Sequence, residues 1–166
     1  MEKFKSRLLL FVILFFFWVL WNNTMDFKIW MYGLVPSLLV VLFFGQSISI
    51  FNGVKLTPKS FFYSFVYIMV FIWALIKSNV DVLLRVLNPK LPINPGIVKI
   101  KTNIKSPMGR LILANSITLT PGTFVVDIKD EFLYIHWIDV CCDGDINDYT
   151  QAISGQFENL LLKIYE

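Results

Sequence analysis

Between Leu8 and Ile76 the sequence carries only four charged residues, Asp26, Lys28, Lys55 and Lys59. From Lys77 onward charge becomes frequent. A run that poor in charge resists a water-facing surface, and lipid admits only backbones that satisfy their own polar groups, so helices are required there. The chain therefore divides into a membrane-anchoring helical region, residues 1–88, and a small polar domain. Composition agrees: 56% of residues are hydrophobic and 16% charged, against about 45–50% and about 25% in ordinary soluble domains.

Three apolar stretches fall in the first region, 8–21, 29–44 and 61–76. At about 1.5 Å per residue each spans roughly 21–24 Å, short of a hydrocarbon core of about 30 Å, so polar flanks must extend them or the bilayer must thin. Gly33 and Pro36 interrupt the second stretch and predict a bend. Thr57 and Pro58 are a helix cap and first residue for the third. Lys77, Asp81 and Arg85 then recur every four residues, an amphipathic extension to residue 87 that Asn88-Pro89 stops. Met1–Arg7 followed by an apolar run resembles a secretory signal, but Trp21-Asn22-Asn23-Thr24-Met25 offers no small-residue cleavage site, which predicts an uncleaved helix.

Charge also bears on topology. Lys3, Lys5 and Arg7 favour a cytoplasmic N-terminus, and Lys77, Arg85, Lys90, Lys99, Lys101 and Lys105 a cytoplasmic C-terminal domain. Both ends inside requires an even number of crossings, so one of the three stretches fails to cross, and the sequence leaves open which one. No Asp, Glu, Lys, Arg or His lies within any of the three. Proton relays and ion carriers use such groups inside the bilayer, so an ion path through this chain alone is not expected. Trp18, Trp21, Trp30, Tyr32 and Trp73 suit lipid, the interface or a neighbouring membrane protein.

Pro89, Pro92 and Pro95-Gly96 form a stiff connector, residues 89–96, and residues 97–166 a small cytoplasmic α+β domain. Strands are expected at 97–102, 124–128 and 132–139, with helices from Ser106-Pro107 to about Ser116 and over 149–164. Thr120-Pro121-Gly122-Thr123 has the Pro-Gly centre of a type II turn. The order β-α-β-β-α predicts helices on one face of a mixed sheet, an incomplete ferredoxin-like unit.

Little in the domain points to chemistry. His136 is the sole histidine, on a strand with no obvious nucleophile beside it. The run from Asp143 to Asp148 begins like a calcium loop but has Asp148 and Ser154 where an EF-hand needs Gly and Glu, so a helix start explains it better. Cys141 and Cys142 are adjacent, a spacing ill suited to a mutual disulfide. Phosphate-loop, dinucleotide, GxSxG and HExxH patterns are absent. A net charge of +3 does not argue for nucleic acid. No catalytic residue, metal ligand or cofactor is expected. The basic strand face of Lys99 and Lys101 leaves room for a second class, a membrane-tethered module that recruits a soluble partner.

The segment around Asn115, Thr118, Thr120, Pro121, Gly122 and Thr123 is the most distinctive in the chain. Its four hydroxyl residues can satisfy backbone groups at a helix end. With Pro92-Ile93-Asn94-Pro95-Gly96-Ile97-Val98 before it and Phe124–Ile128 and His136 after it, the segment closely resembles the signature of the E subunit of Mrp-type (Mnh) multisubunit cation/proton antiporters. The resemblance runs over essentially the whole chain. It implies an accessory subunit of a complex that exchanges Na+ for H+ across the cytoplasmic membrane, with other membrane subunits and the lipid bilayer as its partners. The ion path would lie in the large subunits. It fits equally the corresponding antiporter module of a membrane-bound hydrogenase-like complex. Cys141, Cys142 and the acidic run inherit no role from it.

Overall fold

The computed structural model describes residues 2–24, 26–44, 57–140 and 144–166. The chain forms two compact units, Met1–Gly53 and Val54–Glu166. In the first, α1 (Glu2–Asn22) and α2 (Phe27–Phe44) are longer than the apolar runs that seed them, because polar flanks join each helix. At about 1.5 Å per residue they reach roughly 32 and 27 Å, close to a hydrocarbon core. Asn23 takes the left-handed conformation that asparagine tolerates (φ 46°), and Asp26 Oδ1 accepts from Lys28 N at 2.9 Å to start α2. The two helices pack as a hairpin. Trp18 donates its indole N–H to the Ile29 carbonyl at 2.9 Å, and its ring occupies the space a side chain on Gly33 would need. Gly33, Ser37 and Val41 form the buried stripe of α2, and α2 continues through Pro36. Small residues at four-residue spacing are what close helix approach in lipid requires.

The second unit holds α3 (Pro58–Leu87), β1 (Gly96–Lys101), α4 (Pro107–Leu119), β2 (Thr123–Lys129), β3 (Phe132–Trp137), α5 (Ile146–Ile153) and α6 (Gly155–Tyr165). Among the described residues β1, β3 and β2 form a sheet in that order, and both pairs are antiparallel. The expected mixed sheet is thus corrected. The crossover through α4 would make β1 and β2 parallel neighbours, but β3 inserts between them, a split β-α-β unit. One sheet face is buried through Val98, Ile100, Leu133 and Ile135 against Leu113, Ile117, Phe157 and Leu161 of the helices. The expected single C-terminal helix is two. Ser154, fully buried, sits at the break, its Oγ donating to Thr150 O at 2.9 Å.

α3 begins where Thr57 and Pro58 predict, with Ser60 N donating to Thr57 Oγ1 at 3.1 Å, and ends at Leu87, before Asn88-Pro89. Its packing differs from the expected division at residue 88, because the compact unit that contains the sheet begins at Val54. Tyr67 and Ala74 belong to the core, flanked by Tyr63, Val70 and Phe71. The rings of Tyr67 and Phe71 meet Phe157 of α6 edge-on at 6.1 and 6.3 Å. Ser60 donates to Ile164 O at 3.3 Å near one end of α3, and Arg85 reaches Asp139 at 2.6 Å near the other. The domain therefore lies against α3 for nearly its whole length. The opposite side, including Phe61, Phe65, Ile68, Ile72, Ile76 and Leu84, is exposed.

Candidate functional site

The turn between α4 and β2 is built from hydroxyl groups that cap backbone carbonyls. Thr120 Oγ1 donates to Ser116 O at 2.7 Å, and Thr123 Oγ1 to Ile117 O at 2.7 Å. Thr118 Oγ1 accepts from Val125 N at 3.3 Å. Pro121 precedes Gly122, whose φ of +95° is open to glycine and penalised for any side chain. Gly122 O accepts from Ile138 N at 2.8 Å, which ties the turn to the chain leaving β3. Five of the six singled-out residues thus form one structure. Asn115 stands apart, exposed on α4.

Behind the turn α4 is held to α3. Ser116 Oγ donates its hydrogen to Ile112 O at 2.8 Å, so in its short contact with Tyr67 the phenol is the donor. Beside this lies a cleft of about 330 Å³. Lys77, Ser78 and Asp81 of α3 line one side, Thr120, Pro121 and Thr123 a second, and Trp137 and Gln156 close it. The threonine hydroxyls are committed to carbonyls, and Asp81 accepts from Arg85 at 2.7 Å. The lining contains no histidine or cysteine. Its lining combines the Lys77 ammonium, the Ser78 hydroxyl and the Gln156 amide with apolar Trp73, Ile117 and Phe157.

The other candidates lie elsewhere. His136 is exposed on the open face of β3, in register with Ile97 and Phe124. On the same face Lys99 Nζ stands 3.7 Å over the Phe132 ring, and Lys101 pairs with Glu131 at 3.2 Å. The basic strand face is thus already partly engaged within the domain. Asp145 caps α5: its Oδ1 accepts from Asn147 N at 2.8 Å and Asp148 N at 3.0 Å, while Asp148 Oδ2 accepts from Asp145 N at 3.1 Å. The backbone N–H groups of Asp148 and then Asn147 hold the Asp145 carboxyl below its ordinary range. No cluster of three potential metal ligands occurs among the described residues. Cys141, Cys142 and Asp143 lie outside them.

Three residues organise the domain through contacts that the sequence does not announce. Asn94 is a clamp: its N–H meets Ile138 O at 3.1 Å, its carbonyl Val140 N at 2.8 Å, and its side-chain amide Val140 O at 2.9 Å. Glu158, buried, accepts from Asn103 N at 2.6 Å and Thr102 Oγ1 at 3.2 Å. Arg85 joins Asp81, Asp139 and the Pro92 carbonyl. For Asn94 and Arg85 the available signal was their place beside the proline connector. For Glu158 it was an acid on the apolar side of an amphipathic helix.

A family model described as Na+/H+ ion antiporter subunit matches residues 11–164. The E1 subunit of a Na+/H+ antiporter from Staphylococcus haemolyticus is 33% identical over 96% of this chain and 98% of its own length. The E subunit of a Na+/H+ antiporter from Bacillus subtilis is 34% identical over 81% of this chain and 84% of its own. Among solved structures, a chain of the membrane-bound sulfane sulfur reductase, an archaeal respiratory membrane complex, superposes with TM-score 0.82 at 38% identity, over 97% of this chain and 98% of that one. Matched along nearly its whole length, the chain belongs to the family of E subunits of Mrp/Mnh-type Na+/H+ antiporters.

Proposed function

We propose that this chain is an assembly subunit of a multisubunit Na+/H+ antiporter in the cytoplasmic membrane. Its α1–α2 hairpin anchors it, and the domain from Lys90 onward lies on the cytoplasmic side. The ion path belongs to partner subunits. One observation carries the division of labour: the stretches 8–21, 29–44 and 61–76 hold no Asp, Glu, Lys, Arg or His. The basic residues at both ends support the orientation. The turn 120–123 and the cleft beside it serve assembly, with exposed Asn115 of α4 as a separate contact for a neighbouring subunit. Deletion of the chain tests this. Antiport should fall because the remaining subunits no longer copurify, and a complex that assembles fully without it but exchanges no Na+ would overturn the assembly role.

A second setting is favoured by the 38% identity to a chain of a respiratory membrane complex. In that setting the chain serves the antiporter-like module of a redox complex. Purification of the tagged chain in mild detergent separates the two: polytopic subunits alone indicate the stand-alone antiporter, and additional soluble subunits with visible redox absorbance the respiratory complex.

A further inference from the structure

We infer that α3 does not cross the bilayer but lies along its cytoplasmic surface, with its outward face sunk into the lipid headgroup and acyl boundary. This rests on the membrane assignment above and identifies the apolar stretch that fails to cross. The covered side of α3 carries hydrogen bonds or ion pairs to the domain at Ser60, Tyr67 and Arg85, near both ends and in the middle. A helix covered from end to end by a domain rich in lysine and aspartate cannot pass through hydrocarbon without taking that domain with it. The other side is a continuous apolar stripe. Phe62, Trp73 and Leu84, eleven residues apart, are 62%, 66% and 63% exposed.

Lipid, rather than a further membrane protein, is the occupant this face fits. The small residues of α3 that would let a second membrane helix approach, Ser60, Ala74 and partly buried Ser64 and Ser78, are turned away from solvent, and the outward stripe is Phe, Ile, Met, Trp and Leu. The hairpin shows the contrasting pattern, with Gly33 and Ser37 at its buried seam. Lys59 and Lys77 are exposed on α3 and form no salt bridge among the described residues, whereas the one acid of α3, Asp81, is bound to Arg85. A bulky apolar face with exposed lysines is the composition of an interfacial helix on an anionic leaflet.

Depth measurement tests the inference. Single cysteines replace Phe62, Trp73 and Leu84 in the full chain lacking Cys141 and Cys142. Each is nitroxide-labelled, and the chain is reconstituted, alone and within the complex it purifies with, in phosphatidylethanolamine/phosphatidylglycerol vesicles. Relative accessibility to oxygen and to a water-soluble nickel chelate gives the depth. All three positions should report one shallow depth, about 5–10 Å into the interface. Residues 62 and 84 lie about 33 Å apart along a helix, so a crossing helix would place 73 deepest with both ends shallow, and that profile overturns the inference. So does water exposure at all three, or loss of lipid contact in the complex alone, which would assign the face to a partner protein. A fourth label at Leu39 of α2 is the control: deep burial there keeps the membrane assignment standing when the α3 result fails, and its absence removes both.

Discussion

At the scale of single residues, the turn after α4 gives the sharpest prediction. Gly122 holds φ +95°, and a Cβ there would stand 3.0 Å from Ile138 Cγ2. Gly122→Val should cost about 1–3 kcal/mol through backbone strain, lowering chain abundance and complex recovery without changing cation selectivity; altered selectivity in an assembled variant would make the turn a functional site. Glu158→Leu leaves the Asn103 N–H and the Thr102 hydroxyl without their acceptor in a buried site, a loss of about 1–3 kcal/mol readable as a lower melting temperature in detergent. Asp145 gives a pH signature. Its folded carboxyl is held below the unfolded value of about 3.9, so its contribution is present above that value and lost as pH falls through the folded one. Asp145→Ala should therefore melt earlier than wild type near pH 7, and the gap should narrow only below about pH 4; an unchanged gap in stronger acid would remove the cap from the account. Gly122 was legible because its neighbour Pro121 announces a turn. Glu158 was not, because its closest partners, Thr102 and Asn103, lie more than fifty positions away and nothing local distinguishes a buried acid from a surface one.

At the scale of elements, helix and strand positions follow from local signals such as Thr57-Pro58, Ser106-Pro107 and Asn88-Pro89, each of which acts where the sequence places it. The packed side of α3 was hidden for a physical reason. In a helix this poor in charge, a core-facing stripe and a second apolar stripe both suit lipid, so composition alone does not say which side packs. The signal that survives is the row of small or hydroxyl-bearing residues Ser60, Ser64, Tyr67, Ala74 and Ser78, spaced four, three, seven and four apart. The break between α5 and α6 was masked likewise, since Ser154-Gly155 interrupts an apolar pattern that continues on both sides. The hairpin supplies a test at this scale. Gly33→Leu drives a side chain into the Trp18 ring, so it should separate α1 from α2, seen as loss of the crosslinks that cysteine pairs scanned between α1 and the Ser37–Val41 seam of α2 form. An undiminished crosslink would mean that the helices are held by contacts other than this one.

At the scale of the whole molecule, the proposed division between a docking domain and anchoring helices is open to two measurements. The first is orientation. Basic residues flank the hairpin at Lys3, Lys5 and Arg7 and recur through the domain, so single cysteines at Lys5 and Lys129 should react with an impermeant maleimide only in inverted vesicles, and one at Thr24, in the link between α1 and α2, only from outside intact cells. Labelling of position 129 from outside would reverse the orientation. The second is transport. With no Asp, Glu, Lys, Arg or His inside 8–21, 29–44 or 61–76, the isolated chain lacks the side chains that proton relays and ion carriers use inside a bilayer. Reconstituted alone, it should give no Na+-dependent proton flux above empty vesicles, whereas vesicles containing the complex should, and should lose that flux when the chain is omitted during assembly. Flux from the chain alone would require a path built from backbone carbonyls and water between α1 and α2. The Gly33–Trp18 contact leaves no space for one where they meet, so such a result would also mean that the hairpin opens in the bilayer.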